Sequence, residues 1–472
     1  MKRRDFLQSS AMASLALMAP RIAFGKSGPE LADRLWVFVD ANGAWDPTFF
    51  CDPQPHPFYV NPAVYTAGQI MTNSQGVSYA PYEDGKPYMV GAGEGQDFFA
   101  KYADKLLVIN GFDGQTNNHN VGSRSMWSGT LATGNPSLGA LIAAAHSGEK
   151  PGELPLAFVS TGGYDSTNGL VPATRVGKTA PLIKLTQPNL FKEDNAGTYY
   201  HHPAVLKAIR EKQAERTDRL IANQGLPQII AGLKRLKSAR AGEDALALLL
   251  GPLKDKTLLP EVSTTSSRLL PPARVAMAAM AAGICVSVNL SMRGFDTHSN
   301  HDWNSPLGGH RPPLKELFIA IDYVWDRAKA LGFDDKLVMV IGSDFGRTRY
   351  NKPIIQDGDP QNATAGKDHW PITSMMLMGK DIPPGVIGAT HVEESVSGVT
   401  AKHVLNANGV VQVSDNPDAA GTTLIRQVHV HHALRCLAGL KEHELGKRYP
   451  LARPIDFPLP ILPGAPGWES FV

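Results

Sequence analysis

Three short segments carry carboxylate or imidazole side chains, and two of them carry both, at spacings that suit a metal ion. The segment Gly294–His301 contains Asp296, His298 and His301. Further along the chain come Asp344 and then His369, which directly follows another aspartate. Carboxylates and imidazoles on loops are ordinary ligands of zinc and other divalent ions. These residues are therefore candidate metal ligands, and the alternative for an Asp-x-His segment is a hydrogen-bonded loop pair.

Two aspartates near the front of the chain are further candidates. Asp40 ends an apolar run, and Asp46 follows shortly in Gly-Ala-Trp-Asp. One of these carboxylates would complete a metal site with the later segments. The alternative is that each caps a helix or a turn, which are positions that aspartate favours.

The segment Asn117–Ser125 brings together His119, Ser123 and Arg124. A helix start with a hydroxyl, exposed backbone amides and an arginine suits an anionic substrate. The alternative is simple N-capping of the helix by Ser123 or Ser125. The sequence contains no Gly-x-Ser-x-Gly elbow, P-loop or dinucleotide fingerprint that would favour another chemistry.

The elements that must position these residues alternate between strands and helices. A helix is predicted from Leu314 to Leu331, with Gly332 placed to cap its end. Short apolar runs that stop at polar loops predict buried strands, at 34–39, 105–109, 154–159, 284–290 and 337–341. A helix followed by a strand is half of a parallel α/β unit, in which ligands gather beyond the carboxyl ends of the strands. We therefore expect an α/β fold with its chemistry at that edge.

Composition excludes several classes of protein. The chain has 472 residues, of which 43% are hydrophobic and 19% charged, so it is not a disordered or fibrous chain. Its 46 basic and 44 acidic residues give a net charge of +2, which argues against a nucleic-acid partner. The cysteines Cys51, Cys285 and Cys436 are too widely spaced for a disulfide scaffold or a thiolate zinc site. They allow at most one disulfide.

The N-terminal residues are typical of a targeting signal. Arg3 and Arg4 precede a stretch of 15 uncharged residues between Asp5 and Arg21, which is shorter than the roughly 20 needed to span a bilayer. This leader looks like a twin-arginine signal, so we expect export to the bacterial periplasm or beyond without a stable membrane anchor. We expect a signal peptide over 1–27 and a single domain over 28–472, with a charged helical insertion at about 198–258.

Several of these motifs occur in an order that resembles a known family. They are the Arg-Arg leader, the first strand with Gly-Ala-Trp-Asp46, Phe-Asp-Thr-His298, Ser-Asp-Phe-Gly-Arg-Thr348 and Asp-His369. Together they resemble the family called domain of unknown function 1501, over about residues 35–440. This family is placed in the alkaline phosphatase and sulfatase superfamily. The resemblance implies an α/β sandwich with a largely parallel mixed central sheet flanked by helices, and a divalent metal site that cleaves phosphate or sulfate esters.

The resemblance also assigns roles to individual residues. Asp296 and His298 match the superfamily's Asp and His ligands, Asp344 the later acid, and His369 the last imidazole. Asp40 or Asp46 matches the acid after the first strand. His119 matches a Ser-His-Phe type motif with different neighbours here, and the usual acid at the position of Asp344 is Glu. The expected cofactor is a divalent metal, zinc or calcium.

The implied substrate is a small anionic ester, and the other implied partner is the twin-arginine export machinery. Ser123 is the candidate nucleophile, although no diagnostic pattern surrounds it. Arg124, Arg347 or Lys367 would balance charge on the departing oxyanion. Two alternatives remain open: a hydrolase that activates water at the metal, and an exported metal-binding or assembly protein without turnover.

Overall fold

The structure is a computed structural model, and it describes most of the chain. The described residues are 33–91, 93–149, 154–175, 186, 189–191, 198–241, 243–302, 309–351, 365–407 and 410–452. The predicted leader lies outside them.

A sheet of eight strands forms the centre of the molecule. In chain order the strands are β1 (Leu35–Asn42), β2 (Leu106–Asp113), β3 (Phe158–Ser160), β4 (Ala173–Arg175), β5 (Ser287–Arg293), β6 (Leu337–Gly342), β7 (Ile372–Gly379) and β8 (Gly385–Ile387). Their order across the sheet is β8-β2-β7-β6-β1-β5-β3-β4. Only β7 runs antiparallel to its neighbours, β6 and β2, and the other pairings are parallel.

Helices of eight or more residues lie between these strands along the chain, and the last of them follows β8. They are α1 (His119–Ser128), α2 (Leu138–Glu149), α3 (Pro203–Ala222), α4 (Pro227–Ala241), α5 (Leu270–Ala281), α6 (Arg311–Leu331) and α7 (Gln427–Leu437). Shorter helices are Pro47–Phe49, Ala67–Gln69, Phe98–Lys101, Glu243–Leu246, Ala247–Leu249, Leu250–Lys254, Asp334–Lys336 and Glu444–Arg448. Short strands outside the sheet are Met71–Thr72, Ser78–Tyr79, Met89–Val90, Gln96–Asp97, Gly346–Arg347, His369–Trp370, Thr390–His391, Thr400–Ala401, His403–Ala407, Val410–Ser414 and Thr422–Thr423.

The sheet separates two hydrophobic cores because successive side chains of a strand point to opposite faces. On β1, Val37 and Val39 belong to the core that includes α5 and α6. Trp36 and Phe38 belong to the core on the other face, which α1, α2 and α7 cover. Helices therefore cover both faces, as expected of a largely parallel sheet.

The predicted α/β class, with a mostly parallel central sheet flanked by helices, is confirmed. Each of the five apolar runs contains a strand, although β3 begins only at Phe158. Helix α6 ends at Gly332, which caps it with a positive φ of 76°. The segment predicted as a helical insertion contains α3 and α4. Cys51, Cys285 and Cys436 are all free thiols. In the described part of the chain, every helix is too short or too polar to cross a bilayer.

Candidate metal centre

The loops that carry the predicted chemistry meet at one edge of the sheet. The residues after β2, β5 and β6 lie at the carboxyl ends of these parallel strands. Strand β7 runs the opposite way, so the residues that precede it lie at the same edge. This places His119 after β2, Asp296 and His298 after β5, Asp344 after β6, and His369 before β7.

Four of these side chains lie in direct contact. Asp296 Oδ1 is 3.0 Å from His298 Nε2 and 3.3 Å from His369 Nε2. His298 Nε2 and His369 Nε2 are 3.0 Å apart, and His119 Nε2 is 3.5 Å from Asp296 Oδ2. A tetrahedral zinc ion with bonds of about 2.0–2.1 Å separates its ligand atoms by about 3.3 Å. His119, Asp296 and His369 form one group of possible ligands for such an ion, and we call these three residues together with His298 the His-Asp cluster.

Asp344 orients His119 instead of joining the cluster. Its Oδ2 is hydrogen-bonded to His119 Nδ1, and its Oδ1 accepts from the backbone amides of Gly43 and Ala44 at 3.2 and 2.6 Å. Ser343 Oγ donates to the same oxygen at 2.9 Å. The fully buried carboxylate is thus committed to other partners, and its hydrogen bond raises the pKa of His119 above its usual value.

The ring orientations direct Nε2 lone pairs toward the cluster. His119 Nδ1 donates to Asp344, and His369 Nδ1 donates to the backbone oxygen of Asn117 at 2.9 Å. In a neutral imidazole the other nitrogen is then an acceptor. His119 Nε2 is buried and has no hydrogen-bond partner. A second-shell acceptor at one ring nitrogen and a free lone pair at the other is the usual arrangement of a metal-ligating histidine.

The buried guanidinium of Arg347 balances the negative charge of Asp296. Arg347 donates to Asp296 Oδ1 at 2.6 Å and to the backbone oxygens of Ala44, Phe295 and Lys367. Partial burial opposes ionisation, but the Arg347 guanidinium outweighs it and lowers the pKa of Asp296. The carboxylate is thereby held ionised and in place.

Two glycines let the loops approach closely enough to form the cluster. Gly43 has a φ of 117°, and a Cβ added there would lie 2.7 Å from the backbone nitrogen of Asp296. At Gly366 an added Cβ would lie 1.9 Å from the backbone oxygen of His298. A larger residue at either position would displace a ligand-bearing loop.

Asp46 lies in a separate buried network, which we call the Asp46 network. Its Oδ2 contacts Lys367 Nζ at 2.5 Å and His301 Nε2 at 2.9 Å. Its Oδ1 accepts from the backbone nitrogen of Thr48, so Asp46 also caps the short helix Pro47–Phe49. Despite complete burial, Lys367 holds the pKa of Asp46 far below its usual value. Of the two roles predicted for Asp46, the capping role is the one that the structure contains.

A single assignment of protons gives each hydrogen bond among these side chains of the Asp46 network one donor and one acceptor. Thr297 Oγ1 lies 2.6 Å from His301 Nδ1 and 3.1 Å from His310 Nδ1, and the Asp46 amide donates to His310 Nε2 at 2.7 Å. His310 then donates to Thr297, Thr297 to His301, and His301 to Asp46. Both imidazoles are neutral in this assignment, in keeping with burial, which lowers the pKa of His301 to about 4 and that of His310 further.

The Asp46 network supports both loops that supply the cluster. Thr297 lies between Asp296 and His298 in the chain, and Lys367 lies two residues before His369. Because Thr297 and Lys367 are fixed in the same buried network, the positions of the two loops depend on each other.

Asp40 also lies apart from the cluster. The fully buried carboxylate accepts hydrogen bonds from Trp127 Nε1 at 3.1 Å and Ser291 Oγ at 2.7 Å. In the part of the chain that the structure describes, it makes no hydrogen bond or ion pair with the four clustered side chains. Burial, supported by the charge of Asp344, raises the pKa of Asp40 to about 7.

We expect Asp40→Asn to stabilise the protein at neutral and alkaline pH. A carboxyl group whose folded pKa is raised stabilises the fold below its ordinary pKa, and this contribution is lost as pH rises from about 4 to 7. The amide keeps an acceptor for Trp127 and adds a donor for Ser291, without the ionisation. The advantage in free energy of unfolding should therefore grow across this window, to on the order of 2–4 kcal/mol.

Chemical denaturation at a series of pH values checks this expectation. Asp335→Asn, at an exposed position, is the control and should give a difference that is nearly constant with pH. An Asp40→Asn difference that is equally flat would show that Asp40 is not held neutral by burial.

The remaining predicted site residues have other surroundings. Ser123 is buried on α1, one turn after His119, and its hydroxyl makes no hydrogen bond with the cluster. Arg124 donates to the backbone oxygen of Leu131 at 3.0 and 2.7 Å. Arg347 and Lys367 have their charges paired within the protein, with Asp296 and Asp46. The helix α1 is capped by Asn118, so the alternative of capping by Ser123 or Ser125 is wrong.

Two features of the site were missed by the sequence analysis. Asp368 Oδ1 lies 3.7 Å from His298 Nδ1 and, with His298 and His369, forms a second group of possible ligands. His119 was predicted as a catalytic residue, and the structure places it in a possible ligand group with Asp296 and His369. The signal for His119 was its position at a predicted helix start after a strand of the sheet, at the edge where Asp296 also lies.

A comparison with protein families supports the resemblance for part of the chain. Residues 272–413 match the model of a family described as "Protein of unknown function (DUF1501)". The matched segment contains Asp296, His298, Asp344 and His369, whereas His119 lies outside it. No curated protein matches the chain.

Proposed function

We propose that this chain is an exported, metal-dependent hydrolase of phosphate or sulfate esters on an alkaline phosphatase-like scaffold. The observation that carries the metal site is the convergence of His119, Asp296 and His369, whose ligand atoms lie close together. His119 Nδ1 is fixed by the buried Asp344, so its Nε2 is directed toward Asp296 at 3.5 Å. A metal ion shared by these three residues would satisfy Nε2, for which the protein supplies no hydrogen-bond partner.

The donor set favours zinc over calcium. Three imidazole nitrogens and one carboxylate match the nitrogen and oxygen ligands of zinc. Calcium takes six to eight oxygen ligands, and three of the four cluster residues offer nitrogen. Of the two ions expected from the resemblance, we therefore propose zinc.

Individual residues of the chain have distinct roles in the proposed site. An ion held by His119, Asp296 and His369 would keep its fourth position open. There it would polarise an ester oxygen and lower the pKa of an attacking water. Asp344 and the Asn117 backbone oxygen hold His119 and His369 in the ligating tautomer. Asp296 and His298 have side chains that are 46% and 50% exposed, which leaves a route for water and substrate.

Water is the proposed nucleophile because no serine, threonine or tyrosine hydroxyl in the described segments hydrogen-bonds to the cluster. Phe345 adds a fully buried apolar wall, with its ring centroid 4.9 Å from that of His119 and 4.8 Å from that of His369. Such a wall limits solvation on the inner side of the site.

The choice of an anionic ester and the export route rest on the resemblance and on the twin-arginine leader. We accordingly propose the periplasm or the exterior of a bacterium as the location. A second candidate function, metal binding without turnover, is favoured by the pairing of Arg347 with Asp296 and of Lys367 with Asp46, which leaves neither cation to meet a departing oxyanion.

Hydrolysis of p-nitrophenyl phosphate and p-nitrophenyl sulfate by the zinc-loaded protein tests the proposal. We expect turnover that chelation removes and zinc restores. Ser123→Ala should retain this turnover if water is the nucleophile, and its loss in a folded, zinc-loaded variant would return the role to the hydroxyl. Zinc binding without turnover on either ester would favour the second candidate.

A further inference from the structure

The large exposed hydrophobic side chains are concentrated in one stretch of the chain. Among the described residues, nine of the eleven that are exposed lie between Phe191 and Leu236. They are Phe191, Tyr199, Tyr200, Val205, Ile209, Leu220, Leu226, Ile229 and Leu236, with exposed fractions of 38–61%. An exposed apolar concentration of this kind usually marks an interaction surface.

The exposed apolar residues of α3 share one face of the helix. Val205, Ile209 and Leu220 are separated by four and eleven residues, which are helical spacings for one side. The face that includes Thr217 is already used, because Thr217 is buried and Arg240 of α4 donates to its hydroxyl at 3.2 Å. Helix α3 therefore contacts α4 on the side of Thr217, and it has a second side on which Val205, Ile209 and Leu220 contact solvent.

Helices α3 and α4 form a helical hairpin, and this α3–α4 hairpin is strongly basic. Residues 203–241 contain nine Lys and Arg against three Asp and Glu, a net charge of +6, so the rest of the chain is −4. Glu215 and Asp218 are paired with Lys212 and Lys237 at 2.8 and 2.6 Å. The exposed Arg216 lies on the same side as Val205 and Ile209, eleven and seven residues further along the helix.

We propose that the α3–α4 hairpin docks on an anionic phospholipid membrane. Membrane-surface binding grows with the apolar area that is buried and with electrostatic attraction to anionic lipids, and this hairpin offers exposed apolar side chains and a positive charge. Basic residues near such a surface are attracted to anionic headgroups, and Tyr199 and Tyr200 are of the type enriched at interfaces. A second copy of the chain is a poorer occupant, because two hairpins of charge +6 would repel each other.

Sedimentation of the full chain with vesicles tests this proposal. Vesicles of phosphatidylcholine and phosphatidylglycerol in equal amounts should bind the protein, and vesicles of phosphatidylcholine alone should bind it much less. The triple variant Val205→Ser, Ile209→Ser, Leu220→Ser should bind at least about ten-fold more weakly. High salt should weaken binding of the unchanged protein, because the basic residues contribute through charge.

A matched control removes exposed apolar side chains elsewhere. Val386 and Val413 are 43% and 41% exposed, and their double serine variant should bind the mixed vesicles as the unchanged protein does. Circular dichroism establishes that each variant is folded. Equal binding by the folded triple variant would overturn the proposal, as would failure of the unchanged protein to bind the mixed vesicles. Self-association in light scattering that the triple variant abolishes would assign the face to a second copy and also overturn it.

Discussion

Replacing His369 with alanine is expected to weaken zinc binding by more than about 100-fold. His369 Nε2 lies 3.3 Å from Asp296 Oδ1 and 3.0 Å from His298 Nε2, and the residue belongs to both groups of possible ligands. Loss of an outer-shell partner alone typically costs about 10–100-fold in metal affinity. Removing a ligand that both groups share should cost more, and calorimetric titration of the metal-free protein with zinc measures the difference.

A graded set of variants makes this prediction specific. Asp344→Asn removes no ligand but weakens the bond that orients His119, so we expect a loss of about 10–100-fold. His201→Ala, at an exposed histidine on the surface, is the matched control and should bind zinc normally. If His369→Ala bound zinc as tightly as the His201→Ala control, the cluster would not be the metal site.

Replacing Lys367 with methionine is expected to destabilise the protein by about 3–5 kcal/mol. The ammonium lies 2.5 Å from Asp46 Oδ2 and 2.6 Å from the backbone oxygen of Tyr59, in a fully buried setting. Methionine leaves the Asp46 charge without its main partner, and an unpaired buried charge carries a penalty of this size. Urea denaturation at neutral pH measures the change in free energy of unfolding.

The pH dependence and a second substitution distinguish this cause from simple loss of packing. At lower pH, a proton that binds to His301 or Asp46 can neutralise the buried negative charge. The loss of stability in Lys367→Met should therefore become smaller. Adding Asp46→Asn to it should recover part of the stability at neutral pH. Lys315→Met, which breaks the more exposed pair with Glu94, should cost less than about 1 kcal/mol. If neither a lower pH nor the added Asp46→Asn substitution reduced the loss in free energy of unfolding, the result would contradict the charge-pair explanation.

The positions of the chemical residues in the fold could be predicted because strand ends are visible in the sequence. The apolar runs that end before Asp40, Gly294 and Ser343 are strands of the central sheet, and parallel strands bring their carboxyl ends to one edge. Local hydrophobic pattern thus located the loops that carry Asp296 and Asp344 without any knowledge of the strand order, whereas His369 precedes β7, which was not among the predicted strands.

The contacts of each carboxylate could not be predicted from the same pattern. Asp46 and Asp296 both follow strands, yet one pairs with the buried Lys367 and the other lies beside three histidines. This difference depends on which loops meet across the sheet. The antiparallel direction of β7, which brings His369 to the site, is likewise set by the path of the chain and not by the residues of the strand.

X-ray absorption at the zinc edge, on protein loaded with one equivalent of zinc, tests the central claim most directly. We predict a first shell of imidazole nitrogens with carboxylate and water oxygens at about 2.0–2.1 Å, and the outer-shell scattering of histidine rings. A protein that retains no zinc after dialysis, or a spectrum without imidazole scattering, would contradict the assignment of His119, Asp296, His298 and His369 as a metal centre.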